Sequence, residues 1–234
     1  MRHCEDVGIL VKHVNLPKET TEDELIYRII NLQHSCDSII LQLPLDSIHP
    51  IDADKVIDYI FDTKDVDGLT TTNQGKLFTG KPSLVPATPL AVMRFLEEIK
   101  YDVCGKRVLV IGRSKLLGKP LAQLLLNANA TVTMAHSKSD IYHDMRYGNY
   151  DIVVSCVGKP HEFKDIEADV IIDCGINFKD GRMVGDVDID TCLYDYATIP
   201  PNKDRGIKGG LGTLTCLMLL TSVIKSFKLQ HGYL

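Results

Sequence analysis

Apolar and polar positions follow one rhythm up to about residue 100 and another beyond it. After Cys104, four short apolar runs recur: Val108–Ile111, Thr131–Ala135, Ile152–Cys156 and Val170–Asp173, with a short pair around Arg182–Val184. Runs rich in Val and Ile, apolar on both faces, read as central strands of a parallel sheet. Leu121–Asn127 supplies a helix between the first two. This alternation predicts a doubly wound, Rossmann-like sheet whose ligand lies beyond the carboxyl ends of its strands.

The earlier part reads as a smaller α/β unit. Val7–Val14 and Ser38–Leu43 have strand character, the second halted by Pro44. Thr21 with Glu24 forms a capping box before Leu25, Ile26, Ile29 and Ile30, so a helix follows. Ala53–Phe61 has helical spacing and ends before a loop from Lys64 to Asn73. Thr88 is placed to cap a helix carrying Val92, Met93, Phe95, Leu96 and Ile99. Thr213–Phe227 is a last apolar helix, long enough to pack back on the first unit. The predicted fold class is therefore α/β. A small N-terminal domain spans 1–99 and is completed by the helix 213–228; a dinucleotide domain spans 100–207; a glycine loop and the C-terminal helix span 208–234.

Composition narrows the function classes. With 234 residues, 44% of them hydrophobic and 24% charged, the chain has material for real cores. A net charge of −5 without any basic block argues against a nucleic-acid partner. No signal peptide is recognisable, and no apolar run is read as approaching the ~18 residues of a membrane span. Seven scattered cysteines without a CxxC pair suggest reduced thiols in a cytoplasmic setting, with no metal site.

The chemistry concentrates at turns. In VLVIGRSKLLGKP, Val108 to Pro120, Gly112 permits a tight turn and Gly118 removes a side chain where strand and helix approach. Pro120 suits a first helical turn, and amides at a helix start attract phosphate. Arg113 and Ser114 add a cation and a hydroxyl, which suggests a phosphorylated nucleotide. After the second strand, Ser137 and Lys138 stand where an acidic residue would grip a ribose hydroxyl, and with Arg113 they suit a 2′-phosphate. This favours NADP, with NAD as the alternative. Gly158, and Gly175 with Ile176, follow the third and fourth strands and let backbone approach a flat ring. In the first unit, Gln42 ends a strand, and Asp65 and Asp67 flank Val66 in a loop expected to face the same cleft. Gly209–Gly212 adds a flexible, close-approach segment before the last helix.

These segments, in this order, resemble the bifunctional methylenetetrahydrofolate dehydrogenase–cyclohydrolase (FolD) family. The matches are ILQLPL at Ile40–Leu45, KDVDGLTTTNQGKL at Lys64–Leu77, PATP at Pro86–Pro89, VIGRSKLLGKP, ATVTMAHSKS, VGKP at Val157–Pro160, IDCGIN at Ile172–Asn177 and VGDVD at Val184–Asp188. The resemblance implies one-carbon folate metabolism, of the kind that feeds purine biosynthesis: NADP-linked oxidation of 5,10-methylene-tetrahydrofolate to the methenyl cation, then hydrolysis to 10-formyl-tetrahydrofolate. By similarity, Gln42 and Asp67 are the catalytic candidates. Leu41, Gln42, Leu43 and Asp67 would bind the folate, with Lys208, Gly209, Gly210, Leu211 and Gly212 on its other side. Gly112, Arg113, Ser114, Ser137, Gly158 and Ile176 would bind the dinucleotide. The resemblance also implies a homodimer.

Two departures qualify this. Counted back from Gly8-Ile9, the family's catalytic lysine falls one position before Met1, and its Tyr-three-residues-Lys motif has no counterpart in the sequence. A late start, or a reduced relative with ~10²–10⁴-fold slower hydrolysis, are the two expectations. The family's Pro-Gly-Gly-Val-Gly-Pro-Met-Thr reads here Lys208-Gly209-Gly210-Leu211-Gly212-Thr213-Leu214-Thr215, so two prolines are gone. The rival expectation is a non-catalytic folate- or dinucleotide-binding protein on this scaffold; a third is an amino-acid-dehydrogenase-like enzyme sharing only the nucleotide domain.

Overall fold

The structure, a computed structural model, describes residues 2–140, 149–179, 181–198 and 210–233. The chain forms two compact units, Met1–Pro86 with Leu219–Leu234, and Ala87–Met218.

The second unit is built on a five-stranded parallel sheet. Its strands are β1 (Arg107–Ile111), β2 (Thr131–Ala135), β3 (Ile152–Ser155), β4 (Val170–Asp173) and β7 (Tyr196–Thr198), in the order β2-β1-β3-β4-β7. A separate antiparallel hairpin joins β5 (Asn177–Lys179) to β6 (Arg182–Val184). The four apolar runs of the sequence are the first four strands, to within a residue at each end. Strand alternation divides β1 between two cores. Val108 and Val110 face helices Ala87–Glu98 and Gly118–Asn127 through Val92, Phe95, Leu96, Leu121 and Leu125. Leu109 and Ile111 face Phe163, Ile166 and Val187, which lie outside regular helices. Each crossover returns in parallel register, so the turns after β1, β2, β3 and β4 all emerge at one end of the sheet.

The first unit contains helices Glu22–Leu32, Ala53–Ile57 and Thr71–Phe78. The capping box at Thr21 and Glu24 is present in full. Leu25, Ile26 and Ile29 pack with Val56 and Ile60 into a small core. Helix Ala53–Ile57 is shorter than its pattern suggested and runs on as turns.

Six expectations are corrected. Ser38–Leu43 is not a strand: Ile39 alone forms an isolated bridge, to Asp65, and no ladder continues from it among the described residues. Thr88 lies inside helix Ala87–Glu98 rather than before it. Val7–Val14 is not a strand: no ladder partner reaches it among the described residues, Leu10 is 99% exposed, and β-branched content alone does not hold a strand. Helix Thr71–Phe78 lies partly where a loop was read, capped by Thr70 Oγ1, which accepts the Asn73 amide at 3.2 Å. The last helix begins at Gly210, not Thr213, so Gly210, Leu211 and Gly212 form its first turn. One helix, Leu211–His231, is long and apolar enough to cross a membrane by length and composition, contrary to the sequence reading. Its polar residues are nonetheless used inside the first unit. Ser226 Oγ donates to the carbonyls of Asp37 at 2.7 Å and Thr63 at 2.6 Å, and Lys225 Nζ donates to Ser83 O at 2.7 Å.

Candidate active site

In the first unit, the turn Lys64-Asp65-Val66-Asp67-Gly68 gives each residue a different task. Lys64 Nζ donates to the carbonyls of Gln33 and Cys36, both at 2.5 Å. Asp65 is buried, and its Oδ2 accepts the Thr70 amide at 2.8 Å and Asn73 Nδ2 at 3.0 Å. Val66 is a fully buried core residue. Gly68 has φ +62°, and a β-carbon there would stand 2.7 Å from Leu84 O, so only glycine fits. Asp67 alone remains without a hydrogen-bond donor among the described residues. Burial, and secondarily the charge of Asp65, push its carboxyl up to about 6. A carboxyl poised there is the kind of group expected at a binding or catalytic position.

Leu41 packs against the same unit's core, while Gln42 is exposed and turns its Nε2 onto Leu43 O at 2.9 Å. Leu43 is half-buried.

In the second unit, the turn after β1 is shaped for backbone approach. A β-carbon at Gly118 would lie 2.2 Å from Gly112 O, and one at Gly112, where φ is +129°, would lie 2.6 Å from Cys156 Sγ. The strand and helix therefore meet at van der Waals distance through the two glycines. Ser114 Oγ accepts the amides of Leu117 at 3.2 Å and Gly118 at 3.4 Å, just ahead of helix Gly118–Asn127, whose N-cap residue Leu117 supplies no side-chain cap. Arg113, Ser137 and Lys138 are exposed around this turn and after β2. Gly158 is exposed with φ +69°, and Ile176 is 69% exposed just beyond β4. These are the residues the sequence singled out, and the described structure gathers them at the carboxyl end of the sheet. Leu211 is buried in the core beneath the sheet, so its side chain is committed there. Gly212 is exposed in the first turn of the last helix; Lys208 and Gly209 lie outside the described residues.

A network missed by sequence reasoning supports the turns after β3 and β4. Asp186, fully buried, accepts Ser155 Oγ at 2.9 Å, the amides of Val157 at 2.8 Å, Gly158 at 3.2 Å and Lys159 at 2.8 Å, and Asn177 Nδ2 at 2.9 Å. Asp173 accepts the amides of Gly175 at 2.9 Å, Asp186 at 3.0 Å and Val187 at 2.9 Å. Burial outweighs those hydrogen bonds and pushes the Asp173 carboxyl up to about 6. The available signal was Gly-Asp in VGDVD and Asp-Cys-Gly in IDCGIN, polar residues beside glycines at strand ends. A cavity of about 560 Å³ lined by Tyr150, Asp151, Glu167, Asp169 and Asp195 opens instead at the amino ends of β3, β4 and β7. That is the end of a parallel sheet away from its ligand turns.

Residues 86–231 match the family model for the tetrahydrofolate dehydrogenase/cyclohydrolase NAD(P)-binding domain, and residues 1–67 match that for the catalytic domain. The chain belongs to the tetrahydrofolate dehydrogenase/cyclohydrolase family. Among members, the bifunctional protein FolD of Campylobacter curvus is 42% identical over 229 residues, covering 95% of this chain and 77% of that protein. FolD of Clostridium acetobutylicum is 38% identical over 229 residues, covering 96% and 80%. The crystal structure of FolD from Campylobacter jejuni superposes with a TM-score of 0.85 at 34% identity, covering 98% of this chain and 81% of that one. The Trypanosoma brucei dehydrogenase–cyclohydrolase, solved with NADP and an inhibitor, gives 0.85 at 33% identity, covering 98% and 80%. Within this family the Asp67 turn belongs to the first unit and the Gly112–Gly118 turn to the NAD(P)-binding domain.

Proposed function

We propose that the protein oxidises 5,10-methylene-tetrahydrofolate to 5,10-methenyl-tetrahydrofolate with NADP, in one-carbon folate metabolism. The observation that carries this reading is Asp67. In a turn whose other residues are all occupied by the fold, it presents a carboxyl with no internal donor among the described residues. A pterin ring offers N–H donors of the geometry a carboxylate accepts. Asp67 holds that ring, Gln42 joins it as the second residue acting on the substrate, and Leu41 and Leu43 supply apolar walls.

The residues of the second unit fit a dinucleotide. The close approach of strand and helix at Gly112 and Gly118 keeps side chains out of the turn before helix Gly118–Asn127, where a helix start favours a pyrophosphate. Arg113, Ser114 and Ser137, with Lys138, suit the adenosine half and its 2′-phosphate, and Gly158 and Ile176 offer a backbone turn and an apolar platform to a flat ring. When bound, NADP supplies the hydride acceptor. Loss of hydride from the methylene carbon leaves a charge shared by the two flanking nitrogens. The protein's task in this step is orientation and exclusion of water, not proton abstraction.

The test is direct. Purified protein with NADP and methylene-tetrahydrofolate is expected to give the absorbance of both the methenyl product and the reduced nicotinamide. Binding of either ligand without turnover overturns the reading in favour of a binding protein. We extend the proposal to a cytoplasmic homodimer, which the seven free cysteines support as to compartment. Sedimentation at the 26.1 kDa of one chain overturns the dimer.

A further inference from the structure

The carboxylate of Asp186 reaches no cation among the described residues. Its polar partners are a hydroxyl, backbone amides and a side-chain amide, and the nearby Lys159 Nζ pairs with Glu162 at 3.2 Å instead. A buried charge held this way is costly, and its burial contributes less to stability than an apolar residue of equal size. What it does contribute is geometry. Its Oδ2 takes the amides of Val157 and Gly158 from the loop after β3, and its Oδ1 takes the Lys159 amide from that loop and Asn177 Nδ2 from just after β4. One side chain therefore ties together two loops that no strand pairing connects beyond Ser155 and Asp173.

Successive amides converging on one point make an anion-binding concavity. Here the concavity at Val157–Lys159 is filled from inside by the chain's own carboxylate. That turn is closed to a ligand phosphate, which leaves the Gly112–Gly118 turn for the pyrophosphate. The outer faces of the two tied loops carry Gly158 and the exposed Ile176.

We propose that Asp186 is a positioning residue: by clamping Val157, Gly158, Lys159 and Asn177 it sets the surface on which the nicotinamide half of the dinucleotide is oriented. This rests on the dinucleotide reading above. Asp186 touches no reacting atom; it acts through the loops it holds. Asp173 sets Asp186 in turn, since it accepts the Asp186 and Val187 amides.

The test compares two ligands on the wild-type protein and Asp186→Asn. One is NADP; the other is 2′-phospho-ADP-ribose, which lacks the nicotinamide. Asn keeps the shape but turns an amide N–H toward backbone donors. The dissociation constant of NADP is expected to rise about tenfold, the loss of one charge-assisted contact, while that of the fragment stays within about twofold. The KM for NADP should rise in parallel, with the KM for methylene-tetrahydrofolate unchanged. Equal weakening of both ligands, or of neither, overturns the proposal. Should Asp186→Asn fail to show a cooperative melt, Asn177→Ala removes one donor only; a selective NADP loss of about threefold supports the proposal, and unchanged affinity overturns it. A wild-type protein that binds NADP but does not turn over ends the catalytic reading, while the two-ligand ratio still decides on Asp186. A wild-type protein that binds no NADP overturns both.

Discussion

The carboxylate of Asp186 occupies the space a side chain would need at Gly175: a β-carbon there would stand 2.2 Å from its Oδ1. The arrangement is reciprocal, because a β-carbon at Gly185 would stand 1.8 Å from Oδ2 of Asp173. Each aspartate thus lies in the gap left by the glycine next to the other, and each is clamped by hydrogen bonds that prevent it from stepping aside.

Gly175→Ala and Gly185→Ala should therefore destabilise the second unit by about 3 kcal/mol each, the cost of overpacking against atoms that cannot relax. Urea unfolding followed by circular dichroism measures this. Gly181→Ala is the control, having φ +72° but no atom within 4 Å of a β-carbon. It should cost only the left-handed backbone term, about 1 kcal/mol. Equal costs at all three positions would show that the carboxylates do yield.

The turn that presents Asp67 makes a similar demand in the first unit. Gly68→Ala combines φ +62° with contacts of 2.7 Å to Leu84 O and 2.8 Å to Val85 Cα, both backbone. A fall in melting temperature of about 10 °C is expected, with a raised KM for the folate because Asp67 moves with its neighbour. Differential scanning fluorimetry and initial rates report the two effects. A variant that melts like the wild type would mean that the turn has room to shift.

How much of this was legible beforehand depends on range. Buried parallel strands betray themselves by composition, and β1, β3 and β4 were readable because every position in Val108–Ile111, Ile152–Ser155 and Val170–Asp173 is buried. Strand β7 was not, since Tyr-Ala-Thr carries no apolar run and takes its identity from pairing with β4. Helix Thr71–Phe78 was obscured by two threonines, an asparagine and Gly75, poor helix formers that its Thr70 cap offsets. Val7–Val14 goes the other way, because its pattern fits a strand and only the lack of a ladder partner among the described residues says otherwise. In the site, the family resemblance named Asp67, while the residues alone gave no physical reason to prefer it to Asp65; the structural difference is that Thr70 and Asn73 occupy Asp65. Asp186 stayed hidden because its partner Ser155 is 31 residues away.

The last helix offers a separate check on how the first unit is closed. Ser226 is fully buried, and its hydroxyl serves two carbonyls, Asp37 O and Thr63 O. Ser226→Ala leaves both without that donor and should cost about 1–2 kcal/mol. Hydrogen exchange at the amides around Asp37 and Thr63 should rise with it. Unchanged exchange there would mean that Gln230, which also donates to Asp37 O at 2.6 Å, suffices alone.

The pH dependence of the first unit follows from Asp67. Burial raises its carboxyl to about 6, above the ~3.9 of an unfolded aspartate, so the folded state holds the proton more tightly. The stabilisation is fully present below about pH 4 and is lost as pH rises through about 6. Asp173 titrates in the same range, so the whole-protein curve contains both groups. Asp67→Asn isolates one of them: the difference in unfolding free energy between wild type and variant should change between pH 4 and 6 and be flat above 7. Folate binding runs in the opposite sense. If the ionised carboxylate accepts the pterin N–H groups, the KM for methylene-tetrahydrofolate falls as pH rises through 6, and that slope disappears in Asp67→Asn. A wild-type KM without inflection near 6, alongside a stability difference that does show one, would remove Asp67 from the pterin contact while leaving its titration intact.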